Sequence, residues 1–295
     1  MIRVLLLATA VPVAAWGMPP ALTLPADTAT QAARETGGAR ADGLMLSGAV
    51  RQGGLVRGTA PAGTTALTLD GETLAMAPDG RFLIGLDRDA PPTARLVATR
   101  VDGTDSVRML AVQPGTWRIQ SLPTLPKATP RTAEQIARRA DEIAQIVAAR
   151  ATMHATDGWR QTPVWPVTGR ISGVFGSQRI YAGEPGAYHG GVDIARPTGT
   201  PVASPLDGVV VLAAEVPFSL EGHLLLIDHG MGLGSAFLHL SRIDVRVGDR
   251  VTRGQPVGAI GATGRATGPH LHWAMTWNGR RIDPQPLAGA MAVNR

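Results

Sequence analysis

The chain has 295 residues, 44% of them hydrophobic and 17% charged, which is enough apolar mass for a globular core and for two modest domains. Its formal net charge of +5 is scattered, with no lysine or arginine block, and this argues against nucleic acid as a partner. Cysteine is absent, so there is no disulfide framework, and any metal must be held by His, Asp or Glu.

The first segment, MIRVLLLATAVPVAAWG, sets Arg3 ahead of a short apolar run from Val4 to Ala15 that ends in small residues. The run is short for a bilayer span and reads as a secretory signal peptide over residues 1–17, with an uncleaved membrane anchor as the alternative. Export follows, most simply to the periplasm of a two-membrane bacterium. Residues 18–43 are rich in Ala, Thr, Pro and Gly, lack apolar periodicity, and read as a flexible leader. Between 44 and 120 come the short runs LMLSGAV, ALTLD, RFLIGLD, ARLVATRV and RMLAV, punctuated by Asp70-Gly71, Asp79-Gly80 and Asp102-Gly103. Strands at this spacing predict a small antiparallel β-sandwich. It contains no titratable cluster and reads as a structural or substrate-positioning module.

A connector spans residues 121–158. Its first part, SLPTLPKATPR, predicts an extended, semi-stiff spacer. The following TAEQIARRADEIAQIVAAR predicts an amphipathic helix, with Thr132 and Gln135 at capping-box spacing. Ile136, Ala140, Ile143 and Val147 share one face, expected to pack on the protein itself, with docking of a partner as the second reading. Glu134 and Arg138 have the spacing of an ion pair on the wet side.

From Trp159 to residue 295 the chain becomes dense in Gly and Pro, and six of the seven histidines fall between positions 189 and 272. Runs such as GVVVLAA, GHLLLIDHG and LHWAMTW predict a second, Gly-rich antiparallel β domain, so the chain as a whole is mainly β. In GPHLHWAM, side chains two apart leave one face of a strand, so His270 and His272 point the same way. In HGGVDIARP, His189 and Asp193 are four apart in an extended segment and share a face by the same rule. Two imidazoles and a carboxylate suffice for a catalytic zinc site, which takes three protein ligands and leaves a position for water. His239, in AFLHLS, is a further candidate at a strand end.

The set HGGVD, FLHLS and GPHLHW, with RISGVFGSQR before it and VGDRVTRGQPVGAIGATGRATGPH within it, resembles the lysostaphin-like (LytM-type) zinc metallopeptidases that cut peptidoglycan peptides. The resemblance covers about residues 163–285, with the motifs in the family's order. It implies that His189, Asp193 and His272 are the Zn2+ ligands, and that His239 and His270 are the two catalytic histidines. It further implies an exported zinc metalloendopeptidase acting on the peptide stems of bacterial peptidoglycan. The alternative is a non-catalytic regulator or activator of other cell-wall hydrolases, with contact to such proteins through the N-terminal domain or the helix. A degenerate regulator would usually lack some of these five residues, and all five are present.

Two positions depart from the commonest pattern: Phe237 stands where many members have tyrosine, and His223 where asparagine is frequent. His223 and His229 read as structural or supporting histidines, and His154 has no assigned role. Tyr181 and Tyr188 are candidates to line the cleft, and Arg170, Arg179 and Arg265 to meet substrate carboxylates.

Overall fold

A computed structural model describes residues 43–125 and 132–291. The expected signal peptide, the leader up to residue 42 and residues 126–131 of the spacer lie outside the described residues.

The N-terminal part is the antiparallel sandwich that the alternating runs imply. One layer pairs Met45–Gly48, Leu55–Thr59 and Arg81–Gly85, and the other pairs Glu72–Thr73, Thr64–Leu69, Thr93–Arg100 and Asp105–Ala111. Asp70 and Gly71 form the two-residue hairpin turn, both at positive φ (52° and 85°), with Leu69 opposite Glu72. The strand Leu55–Thr59 has no counterpart among the runs singled out in the sequence. The strand Arg81–Gly85 is apolar without alternation because both of its faces are covered, one by the sandwich and one by the C-terminal domain. At Gly85 an added Cβ would lie 2.8 Å from the Trp277 Cβ, so the two parts meet at van der Waals contact.

The sandwich therefore has no separate core. Phe82, Ile84 and Leu96 belong to one continuous apolar cluster with Leu271, Trp273, Met275, Trp277 and Ile282. Polar bonds reinforce the join: the Asp283 N–H donates to the Gly53 carbonyl at 2.7 Å, and Arg160 pairs with Asp79 at 2.7 Å.

In the C-terminal domain, seven antiparallel strands lie side by side in the order Arg250–Val251, Gly208–Ala213, His223–Asp228, Leu233–Ile243, His270–Trp277, Val192–Ala195 and Arg170–Gly173. Strand Pro256–Ile260 pairs with Leu233–Ile243 and continues the sheet to Pro201–Ala203. Along His270–Trp277 the pleat divides the residues cleanly. Leu271, Trp273, Met275 and Trp277 enter the core, at most 2% exposed, while His270, His272, Ala274 and Thr276 line the opposite, cleft-bearing face.

The connector differs from its expected form at both ends. Ile119–Leu122 is a strand, parallel to Gln178–Tyr181, so the first residues expected in a free spacer are held in a small sheet at the cleft lip. The helix spans Ala133–Ala151 with the Thr132/Gln135 capping box formed. Its buried face, however, is not the expected one. Ile136, Ile143 and Val147 are 57%, 46% and 61% exposed, whereas Ile146 and Ala149 pack on Phe218, Leu224, Leu226, Ala236 and Ala274. Glu142 is buried beside them and sets the docking. It accepts from Arg138 Nε (3.0 Å), Arg139 Nη1 (3.1 Å) and the Ser219 backbone N–H (2.6 Å), so Arg138 pairs with Glu142 and not with Glu134. Arg139 also makes a two-pronged bond to Glu221, at 2.6 and 2.8 Å.

Candidate active site

Sheet register brings the metal-type residues together. Asp193 lies directly opposite His272, and Ala195 opposite His270, so the His270/His272 face and the Asp193 side chain meet without any loop rearrangement. His189 joins from the segment ahead of Val192–Ala195, its backbone tied by the His189 N–H to the Ser177 carbonyl at 2.8 Å. Three atoms converge: His189 Nε2 is 2.9 Å from Asp193 Oδ1 and 2.9 Å from His272 Nδ1, and His272 Nδ1 is 2.8 Å from Asp193 Oδ1. Among the described residues this is the one cluster of three such groups able to hold a metal ion.

The donor chemistry fits a cation at that point. His189 Nδ1 lies 3.1 Å from the Val174 carbonyl, an acceptor, so this nitrogen carries the ring proton and Nε2 turns its lone pair toward Asp193 Oδ1. Two acceptors facing each other at that distance need a proton or a metal ion between them. A histidine whose second nitrogen donates to a carbonyl is the usual form of a zinc ligand. The charges agree. Burial alone would raise the Asp193 pKa, but the bonds from His189 and His272 hold it well below the usual carboxylate range. For His189 burial works against the charged ring, yet Asp193 and the backbone carbonyl outweigh it and the net displacement is upward. His272 moves the other way, lowered by burial more than Asp193 restores.

Space at the site is set by glycine. A Cβ at Gly173 would run into Asp193 Oδ2, and one at Gly191 would stand 2.9 Å from His272 Nε2 and against the Trp273 carbonyl. The second glycine of HGGVD is thus required by close packing on His272.

His239 and His270 stand beside this cluster, their rings 4.8 Å apart, with His270 Nε2 3.8 Å from Asp193 Oδ1. Both are anchored in the same way. His270 Nδ1 donates to the Gly268 carbonyl at 2.8 Å and His239 Nδ1 to the Thr263 carbonyl at 2.9 Å, so each ring leaves Nε2 as a free acceptor. His239 sits at φ 63°, a left-handed conformation that few non-glycine residues adopt, held by its own N–H bonded to the Glu221 carbonyl at 2.8 Å. This twist lets Leu238 and His239, neighbours in sequence, both face the cleft. Burial pushes the His239 pKa down to about 4, and the Thr263 carbonyl only partly restores it, so the ring is neutral near pH 7.

The other sequence candidates divide between supporting roles and none. His229 is fully buried, bonded to the Asp207 carbonyl and Ser235 Oγ at 2.8 Å each. His223 does not line the cleft, but its backbone N–H bonds Thr263 Oγ1, securing the residue that orients His239. Phe237 is 0% exposed on the core side, so a hydroxyl there would point away from the site. Tyr181 and Tyr188 line the cleft, and the Tyr188 hydroxyl is committed to Asp87 of the sandwich at 2.9 Å. Arg179 and Arg265 line it as well, and Arg170 does not. Sequence reasoning missed Val174, Thr263 and Gly268, which act through backbone carbonyls and so carry no side-chain signal. It also missed Glu221 and Arg150, whose place in a cleft of about 780 Å3 depends on how the helix docks.

Comparison with known proteins agrees with this geometry. Residues 187–284 match the model of peptidase family M23. The peptidoglycan DD-endopeptidases ShyA and ShyB of Vibrio cholerae are 43% identical over 115 residues and 34% identical over 150 residues. These matches cover 39% and 50% of this chain but only 26% and 31% of the relatives, so the chain spans less than a third of their lengths. A solved structure from Pseudomonas aeruginosa, provisionally assigned as a peptidase M23, superposes with a TM-score of 0.62 at 28% identity, covering 81% of this chain and 95% of that one. The matched residues contain His189, Asp193, His239, His270 and His272, so the C-terminal domain of this chain is similar to peptidase family M23 across all five.

Proposed function

We propose that the chain is an exported zinc endopeptidase that hydrolyses peptide crosslinks of peptidoglycan. The observation that carries the reading is the convergence of His189 Nε2, Asp193 Oδ1 and His272 Nδ1 on one point, with two further histidines presenting free Nε2 atoms beside it. The names of the Vibrio relatives supply the substrate class. Their short overlap leaves the activity of this whole chain to experiment.

His189, Asp193 and His272 would hold the ion. A zinc ion bound there supplies a Lewis acid for the scissile carbonyl and makes water nucleophilic at neutral pH. The remaining work falls to the chain. His270, its Nε2 nearest the ligand cluster, accepts the proton of the attacking water and returns it to the leaving amine. His239 is neutral with its proton on Nδ1, so its Nε2 is an acceptor that shares this proton. An oxyanion-binding role would require His239 to be protonated, which its burial opposes. The even-numbered face of His270–Trp277 forms the cleft floor along which an extended peptide can lie.

Digestion of purified peptidoglycan by the full chain, followed by chromatography of the muropeptides, tests the reading. Uncrosslinked muropeptides should appear with wild type, and His270→Ala should release them roughly 10²–10⁴-fold more slowly while still binding zinc. An unchanged rate in His270→Ala would remove it from the chemistry. Intact crosslinks with wild type and bound zinc would favour the regulator reading.

A further inference from the structure

The cleft is unusually rich in arginine and poor in available acid. Arg118, Arg150, Arg179, Arg265 and Arg281 line it, and the acidic residues in its walls are Asp193 and Glu221. Both acids are engaged: Asp193 by the histidines, and Glu221 by Arg139 from behind. The cleft thus presents positive charge that its own walls do not neutralise.

Two of the arginines reach the cleft wall from different elements. Arg281 lies opposite Thr276 in the sheet, and its chain crosses Gly190, the residue after His189, where an added Cβ would be 2.8 Å from Arg281 Cδ. Its guanidinium lies 5.2 Å from the centre of the Tyr188 ring, so its position is fixed. Arg150 arrives from the last turn of the linker helix, one turn beyond Ile146, which also lines the cleft. No hydrogen bond or ion pair engages the Arg150 side chain among the described residues. It faces solvent in the cleft, yet the surrounding protein and then the like charge of Arg281 disfavour its protonated form, with Glu221 pulling weakly the other way. The helix is locked in that position by Glu142 and Arg139. Two guanidiniums in the wall of one groove, one of them with no hydrogen-bond or ion-pair partner among the described residues, suit a carboxylate.

We propose that Arg150 and Arg281 together bind a carboxylate of the peptide substrate, making the linker helix, which lies outside the matched family domain, part of the substrate-binding cleft. Thr276 is four residues along the strand from His272, so the bound carboxylate lies within about 13 Å of the metal ligands, a few peptide units from the bond that is cut. Arg150 is a specificity residue and takes no part in the chemistry. The inference rests on the peptidase reading above for the identity of its ligand.

The test uses the full chain and a crosslinked stem-peptide pair whose scissile amide is replaced by a CH2–NH linkage, with the α-carboxylates either free or converted to carboxamides. Wild type should bind the carboxylate form about tenfold more tightly than the carboxamide form. Arg150→Ala should lose that preference by weakening the carboxylate form alone, and Arg150→Lys should keep part of it. On cleavable versions the same variant should raise KM for the carboxylate form and leave kcat near wild type. Equal losses on both forms would show that the helix matters only through packing, and an intact preference would show that the carboxylate sits elsewhere. Either result overturns the proposal. Wild-type cleavage of both forms with equal efficiency sinks this inference alone, whereas failure to bind or cut either form sinks the peptidase reading with it.

Discussion

The site depends on the atoms that hold His189, Asp193 and His272 in place as much as on those three side chains. Gly173 contributes no side chain, yet a methyl group there would collide with Asp193 Oδ2. Gly173→Ala should therefore lower zinc affinity about tenfold or more by turning the carboxylate, which a metal-chelator competition would read. His229 makes the converse case, a histidine that supports the fold. Its folded pKa is depressed from 6.5 to about 4 by burial, so the unfolded chain takes up a proton first as the pH falls. Stability from this residue is complete above about pH 6.5 and is lost progressively toward pH 4, on the order of 3 kcal/mol. Thermal unfolding measured between pH 7 and 4 should show that slope in wild type and a flatter one in His229→Gln. That His189, Asp193, His239, His270 and His272 would lie together was legible in the sequence, because strand alternation and motif order carry that information. Their partners Val174, Thr263 and Gly268 were not, because any residue type supplies a backbone carbonyl.

The linker helix shows where hydrophobic patterning misleads. Its most regular apolar stripe, Ile136, Ile143 and Val147, faces solvent, and the docked face mixes Ile146 and Ala149 with Glu142 and Arg139. A pattern rule assigns charged residues to the wet side, but here the charges are satisfied by one another, by Ser219 and by Glu221. The capping box at Thr132 is a local feature and was read correctly; the choice of face depended on a distant loop. Glu142→Ala should leave Arg138 and Ser219 without their partner and destabilise the docked helix by roughly 3 kcal/mol. Hydrogen exchange over Ala133–Ala151 should accelerate well before the central sheet opens. The depressed Glu142 pKa, about 2, follows from its bonds to Ser219 and the two arginines against the opposing effect of burial. Its contribution is thus present above about pH 4.5 and lost as the pH falls through 2.

The sandwich and the C-terminal domain were expected as modules in series, and the molecule joins them through one core. Composition and turn spacing reveal strands but do not say which sheet covers which. The absence of alternation in Arg81–Gly85 was the sequence trace of a strand buried on both sides. Asp87 ties the parts together, accepting from the Tyr188 hydroxyl at 2.9 Å and from the Arg281 backbone N–H at 3.0 Å, so the sandwich bears directly on two residues of the cleft wall. Residues 159–295 expressed alone should unfold at a lower temperature than the full chain, since uncovering the Trp277 ring alone costs about 2 kcal/mol. An unchanged Tm for that fragment would show that the shared core contributes nothing to the C-terminal domain.

The most direct measurement is a zinc titration of the chelator-stripped full chain, following metal content and crosslink cleavage together. Activity should return in proportion to zinc up to one ion per chain, and Asp193→Asn should fail on both counts. Full cleavage by the stripped protein, or by Asp193→Asn with no bound zinc, would contradict the account.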